Sequence, residues 1–204
     1  NNSLTASQDA DGNYSVPSAD TALSLARSTI LIEEAERRGI EATDEDLATY
    51  AEENIGTSDF AQLAQSYGVE EDFIKDSLTS AYKIEKLQDA VFEEASLARP
   101  EEPAAPDDVE KDGDKTSAEY AEYIIALAGD EWDADKGTWA SEDGVYAQAL
   151  KDYKIKKNSA SYNAASAAYD TAMQTYQTNA STAWSAFTSE LFSGADIQIH
   201  TLLS

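Results

Sequence analysis

The sequence predicts an all-α protein: a multi-helix core, a long C-terminal helix and a small two-stranded β element joining the two ends. Three observations carry this expectation. Residues 21–91 read as four amphipathic helices divided by glycines and capping residues. Residues 145–192 contain neither glycine nor proline and repeat aromatic side chains at a spacing of seven. Strand-like patterning is confined to the extremities, at residues 14–16 and 195–203.

Residues 1–17 form a polar leader in which Asp11, Gly12 and Asn13 signal a turn, and Tyr14, Ser15 and Val16 a short strand. The first helix starts near Ser18 or Asp20. Its apolar residues Ala22, Leu23, Leu25, Ala26, Ile30, Leu31 and Ile32 cover more than one face, which marks it as the central, buried helix. It ends at Arg38, where Gly39 supplies the left-handed conformation that stops a helix. Thr43 caps the second helix, with Asp44, Glu45 and Asp46 complementing its dipole, and Gly56 ends it after Ile55. The third follows Ser58 as cap, places Phe60, Leu63, Ala64 and Tyr67 on one side and stops at Gly68. The fourth spans residues 69–96 with a stripe of Phe73, Ile74, Leu78, Ala81, Tyr82, Leu87 and Val91. Residues 18–98 together make the helical core.

Composition shifts at Arg99. Pro100, Pro103 and Pro106 stand among acids, so residues 99–116 read as a solvated, extended linker. A short helix over residues 117–128 carries Tyr120, Tyr123, Ile124 and Leu127 on one face and closes at Gly129. Residues 130–144 form a loop holding Trp132 and Trp139, so 117–144 is expected as a protruding arm. Residues 145–204 then supply the long helix and the closing strand. Tyr162, Tyr169, Tyr176 and Ala183 repeat at seven, and Met173, Ala180 and Phe187 form a second row, the spacing of a seam against other helices. An unbroken helix here would be about 70 Å long, with Asn158 and Ser159 as the place for a kink.

Charge limits the partners. The 204 residues hold 14 basic and 40 acidic side chains, a net charge of −26. Such a surface repels nucleic acid and anionic lipid headgroups. Its simplest meaning is solubility; cation binding or an acidic cell-surface setting is the sharper one. The chain has no cysteine, so disulfides, zinc–thiolate sites and thiol nucleophiles are excluded. No apolar run approaches the ~20 residues of a membrane-spanning helix. The start at Asn1, without methionine and with a polar leader, suits a chain whose targeting segment has been removed. Such leaders tether domains to an export signal or lipid anchor, so an extracytoplasmic location with a membrane tether is expected.

No reaction is legible. His200 is the only histidine and lies on an expected strand, where a structural or surface role is the default. There is no phosphate-cradling glycine loop, dinucleotide fingerprint or nucleophile elbow. No enzyme activity, catalytic residue, cofactor or small-molecule substrate is expected. The nearest metal signal places Glu131, Asp133, Asp135 and Glu142 at positions one, three, five and twelve of a calcium-type loop. Glu stands at the first position where Asp is usual, Lys136 occupies the turn glycine's place and Gly137 comes one residue late, so an acidic turn is the default.

A resemblance now becomes visible. Ile32-Glu33-Glu34-Ala35-Glu36-Arg37-Arg38-Gly39-Ile40, followed by Thr43-Asp44-Glu45-Asp46-Leu47, resembles the N-terminal core of SurA- and PrsA-type extracytoplasmic chaperones, and these resemble the substrate-binding part of trigger factor. The Gly68-Val69-Glu70-Glu71-Asp72-Phe73 junction is similar in kind, as is the C-terminal stretch from Ala183-Trp184-Ser185-Ala186-Phe187 to Ala195-Asp196-Ile197-Gln198-Ile199. The resemblance covers residues 12–95 and, more loosely, 180–204; its motifs are capping and packing signatures. It implies that residues 14–16 pair with residues 197–199. The family's usual Val-Asn-Gly start is replaced here by Asp11-Gly12-Asn13. Many relatives carry a parvulin prolyl isomerase domain in mid-chain; the 45 residues from 99 to 143 are acidic and lack histidine, so no such domain is expected.

The resemblance implies a non-enzymatic chaperone that binds unfolded or newly exported polypeptides in an apolar groove between helices. Tyr120, Tyr123, Trp132, Trp139 and Tyr146 are the candidate client-binding residues, because aromatic bodies with polar tips suit adaptable surfaces. The simpler reading is that all five fill the core of their own lobe. The alternative function is a structural or adhesive cell-surface module on the same scaffold, without client binding.

Overall fold

Caps and glycines divide the chain much as its sequence reads. The structure, a computed structural model, describes residues 7–8, 14–15 and 19–195. These fall into two compact units, one reaching to Glu94 and resuming at Trp184, the other Ala95–Ala183. The described residues are mostly helical, with three two-stranded sheets and a long C-terminal helix.

The first unit contains β1 (Ser7–Gln8), β2 (Tyr14–Ser15), α1 (Ala19–Arg37), α2 (Asp44–Ile55), α3 (Phe60–Tyr67) and α4 (Glu71–Glu94). Tyr14 and Ser15 do form a strand, paired antiparallel with Gln8 and Ser7. The expected partner, residues 197–199, lies outside the described residues, as does His200. Thr43 and Asp46 make a reciprocal capping box at the start of α2. Gly56 ends that helix at φ 80°, its N–H donating to the carbonyls of Ala51 and Glu52. Asp59, rather than Ser58, caps α3 by accepting from the Gln62 N–H. The fourth helix, expected over residues 69–96, starts two residues later, at Glu71, and ends at Glu94.

Expectation and structure part over which helix is central. It is α4 that packs against α1, α2 and α3. Among the described side chains of α1 only Glu34 and Ala35 are buried, and the other apolar ones are half-buried. Breadth of apolar coverage therefore misled, whereas the narrow stripe of α4 buries Leu78, Leu87 and Val91. Leu47, Ala51 and Leu78 form a core between α2 and α4, extended by the edge-on Tyr50–Tyr82 pair at 5.8 Å.

The last turn of α1 carries an ion network. Glu34, 6% exposed, accepts from Arg37 Nε at 2.8 Å and Nη2 at 2.7 Å, and from Arg38 Nε at 2.7 Å. Arg38 also reaches Glu94 Oε1 at 2.7 Å, and its guanidinium lies 5.1 Å from the Phe187 ring. Arg27 lies 5.5 Å from the Phe192 ring. These contacts tie α1 to the end of α4 and to the chain's last helical stretch.

The second unit contains α5 (Val109–Asp112), β3 (Thr116–Ser117), α6 (Ala118–Ala128), a 3₁₀ turn (Gly129–Glu131), β4 (Trp132–Asp133), β5 (Thr138–Trp139), α7 (Val145–Ala149), β6 (Ala160–Ser161) and the start of α8 (Tyr162–Ser193). The boundary between units falls inside α8, between Ala183 and Trp184. Strands β3 and β6 pair antiparallel, and a helix leaves each of them directly. Ser117 and Ser161 cap these helices, accepting from the N–H groups of Tyr120 and Ala164.

Two expectations are corrected here. The helix expected over residues 145–192 is interrupted between Ala149 and Tyr162, so α8 is about 48 Å long rather than 70 Å. Asn158 and Ser159 mark the break, and a tight turn joins the N–H and carbonyl groups of Lys156 and Ser159 reciprocally. The second correction concerns the seam. Within the second unit, α8 buries Ala164, Ala165, Ala168, Ala172 and Ala180, while Tyr162, Tyr169 and Tyr176 are only half-buried. On its other faces Thr171, Thr175, Thr178, Thr182 and Thr188 donate to carbonyls one turn back, which satisfies their hydroxyls.

Candidate functional site

The five candidate aromatics all lie in the second unit, where Trp132 is buried and the other four are half-buried. Ala121, Ile124, Leu150, Ala160, Ala164, Ala165 and Ala168 make a core against which Tyr120, Tyr123, Trp139 and Tyr146 pack. Trp132 is itself 6% exposed and meets Trp139 edge-on at 5.2 Å. Residues 132–139, expected as a loop, are a hairpin: Trp132 pairs with Trp139 and Asp133 with Thr138, and Gly137 at φ 66° turns the chain. The Trp pair is thus a cross-strand contact that fixes the hairpin onto the core.

Tyr120 and Tyr123 perform a second task. The Tyr120 hydroxyl donates to the Ala104 carbonyl at 2.9 Å, and the Tyr123 hydroxyl to the Glu101 carbonyl at 2.6 Å. The Pro-rich segment is therefore bound to α6 rather than free, Pro103 is buried, and α5 adds a helical turn within it. Burial pushes the Tyr123 phenol up to about 12, with Tyr169, Tyr146 and the carboxylates of Glu102 and Glu101 adding to the effect. Tyr146 and Tyr120 are raised for the same first reason.

The four calcium candidates do different work. Glu131 spans the hairpin to α7: its carboxylate accepts from Val145 N at 3.1 Å and Tyr146 N at 2.9 Å, the free donors of the helix's first turn. Gly144 makes this possible, because a Cβ there would collide with that carboxylate. Asp133 accepts from the backbone N–H of Asp135 and Lys136 and from Lys136 Nζ at 2.7 Å, so it braces the turn. Lys136 above all holds its carboxyl below the ordinary range. Glu142 contributes its carbonyl to Gln148. Among the described residues no group of three or more histidine, cysteine or acidic side chains is placed to hold a metal ion.

Two features lie apart from the candidate residues. One is the α3–α4 turn, where Tyr67 is 71%, Val69 38% and Phe73 60% exposed. The helical period places Phe73 on the apolar stripe of α4 and Tyr67 on one side of α3 with Phe60, Leu63 and Ala64. Only the acidic run Glu70, Glu71 and Asp72 between them hinted at solvent. The other is a cleft of about 490 Å³ beside the α7–β6 connection, lined by Trp139, Leu150, Ile155 and three lysines among other residues. Its signal was available: Lys151, Lys154, Lys156 and Lys157 put four of the chain's 14 bases within seven residues.

Comparison with protein-family models, curated proteins and solved structures finds no match for this chain. Among the described residues no helix is long and apolar enough to cross a membrane.

Proposed function

We propose that this protein is a non-enzymatic, chaperone-like binder of unfolded or newly exported polypeptides, working outside the cytoplasm, and that the apolar contact is made by the α3–α4 turn. The supporting observation is the exposure of Tyr67, Val69 and Phe73 within seven residues of chain. Large apolar side chains held in water by a tight junction gain free energy when a partner covers them, at roughly 25 cal/mol per Å² of apolar area. Glu70, Glu71 and Asp72 stand between them in sequence and add negative charge. The surface therefore suits extended segments in which apolar residues alternate with lysine or arginine, and the net charge of −26 keeps such a complex soluble.

The candidate aromatics of the second unit do not carry this reading, since Tyr120, Tyr123, Trp139 and Tyr146 pack on their own core. That same packing favours a second function, a structural or adhesive surface module with no client. One experiment separates the two. The full chain is added to a chemically denatured, basic client and light scattering is followed on dilution. Suppression of aggregation that is lost in Tyr67→Ser/Phe73→Ser supports polypeptide binding. No suppression at stoichiometric excess supports the structural module.

A further inference from the structure

Lysines in this protein have acids to pair with, since acidic residues outnumber basic ones 40 to 14. Lys75, Lys83, Lys86, Lys115 and Lys136 do so, and Lys111 stands alone without a described ion pair. Lys151, Lys154, Lys156 and Lys157 make no ion pair with any described residue, and all four are exposed. Three of them, Lys151, Lys154 and Lys156, line the cleft of about 490 Å³ in the second unit. Trp139 and Ile155 give the cleft apolar surface, and Glu142 is the single acid that lines it. The lining thus carries a formal charge of about +2, three lysines less one glutamate, in a molecule of −26. Its volume falls within the roughly 300–1,000 Å³ of small-molecule sites.

We propose that this cleft binds a small organic anion with a planar apolar body, its anionic group among Lys151, Lys154 and Lys156 and its body against Trp139. Size follows from electrostatics. Charges are felt over about 8–10 Å at moderate salt. A small anion inside the cleft feels the local lysines, whereas nucleic acid or an anionic membrane would extend over the acidic remainder and be repelled. The apolar lining and the aromatic ring favour a planar body over an inorganic ion. The lysine heads, as mobile point charges, accept a carboxylate, a sulfonate or a phosphate ester alike.

The test uses the full chain and the fluorescent probe anilinonaphthalenesulfonate. The expected result is one saturable site per chain that weakens as salt is raised. In Lys151→Gln/Lys154→Gln/Lys156→Gln, whose exposed side chains leave folding intact, the affinity falls by about tenfold or more. The uncharged parent, anilinonaphthalene, binds far more weakly. Competition with benzoate and with phenyl phosphate then names the anionic group the site prefers. Unsaturable binding, an unchanged affinity in the triple variant, equal binding of the uncharged parent, or displacement by neither competitor would each overturn the proposal.

Discussion

Glu34 shows how single residues fix this fold. It is a nearly buried carboxylate that survives because two arginines share it. The Arg37 hydrogen bond first, then Arg38, holds its carboxyl below the ordinary 4.5 despite the opposing cost of burial. A carboxyl held low in the folded state stabilises it above the unfolded value, and that contribution is lost as pH falls through the folded one. Glu34→Gln should therefore destabilise the protein at neutral pH and flatten the acid limb of the stability profile, which urea denaturation across pH will show. Tyr123 behaves in the opposite sense. Its phenol is raised to about 12, so the folded state is favoured fully below 10 and loses that advantage as pH rises towards 12. Tyr123→Phe should cost about 1 kcal/mol through the lost bond to Glu101 and reduce the alkaline dependence, to which the raised Tyr120 and Tyr146 also contribute.

Helix boundaries were legible because their chemistry is local. Thr43, Gly56, Gly68, Ser117 and Gly129 stop or start the helices they were assigned to, and each does so through hydrogen bonds of its own backbone or side chain. What could not be read is what helices do to one another. Phe73 fits the period of α4 as well as Ile74 does, yet lies near the end of the helix and is exposed. The tyrosine repeat of α8 fits a seam, but the buried residues are alanines, whose short side chains carry a weaker pattern signal. The Pro-rich segment looked free because its anchors, the Tyr120 and Tyr123 hydroxyls, come 16 and 22 residues later. Freed of those anchors in Tyr120→Phe/Tyr123→Phe, residues 101–106 should exchange amide hydrogens faster than α6, as mass spectrometry can measure.

At the scale of the molecule, two separate stretches of chain build one unit. The stretch from Trp184 belongs to the same unit as α1 to α4, while Ala95–Ala183 forms the other. Arg38 over Phe187 and Arg27 over Phe192 are contacts between α1 and the end of α8 that hold this non-contiguous unit together. Phe187→Ala should lower the stability of the first unit by about 2 kcal/mol, read as faster exchange in α1 and α4 with α6 unaffected. The α3–α4 turn of this unit presents Tyr67, Val69 and Phe73 to solvent.

The most direct measurement is site-specific photo-crosslinking of the full chain to an unfolded, lysine-rich polypeptide. A photoreactive residue is placed in turn at Tyr67, at Phe73 and, as a control of similar exposure, at Val145. Adducts at the first two positions and none at Val145 are the predicted result. Equal labelling at all three, or none at Tyr67 and Phe73, would contradict the proposed role of the α3–α4 turn.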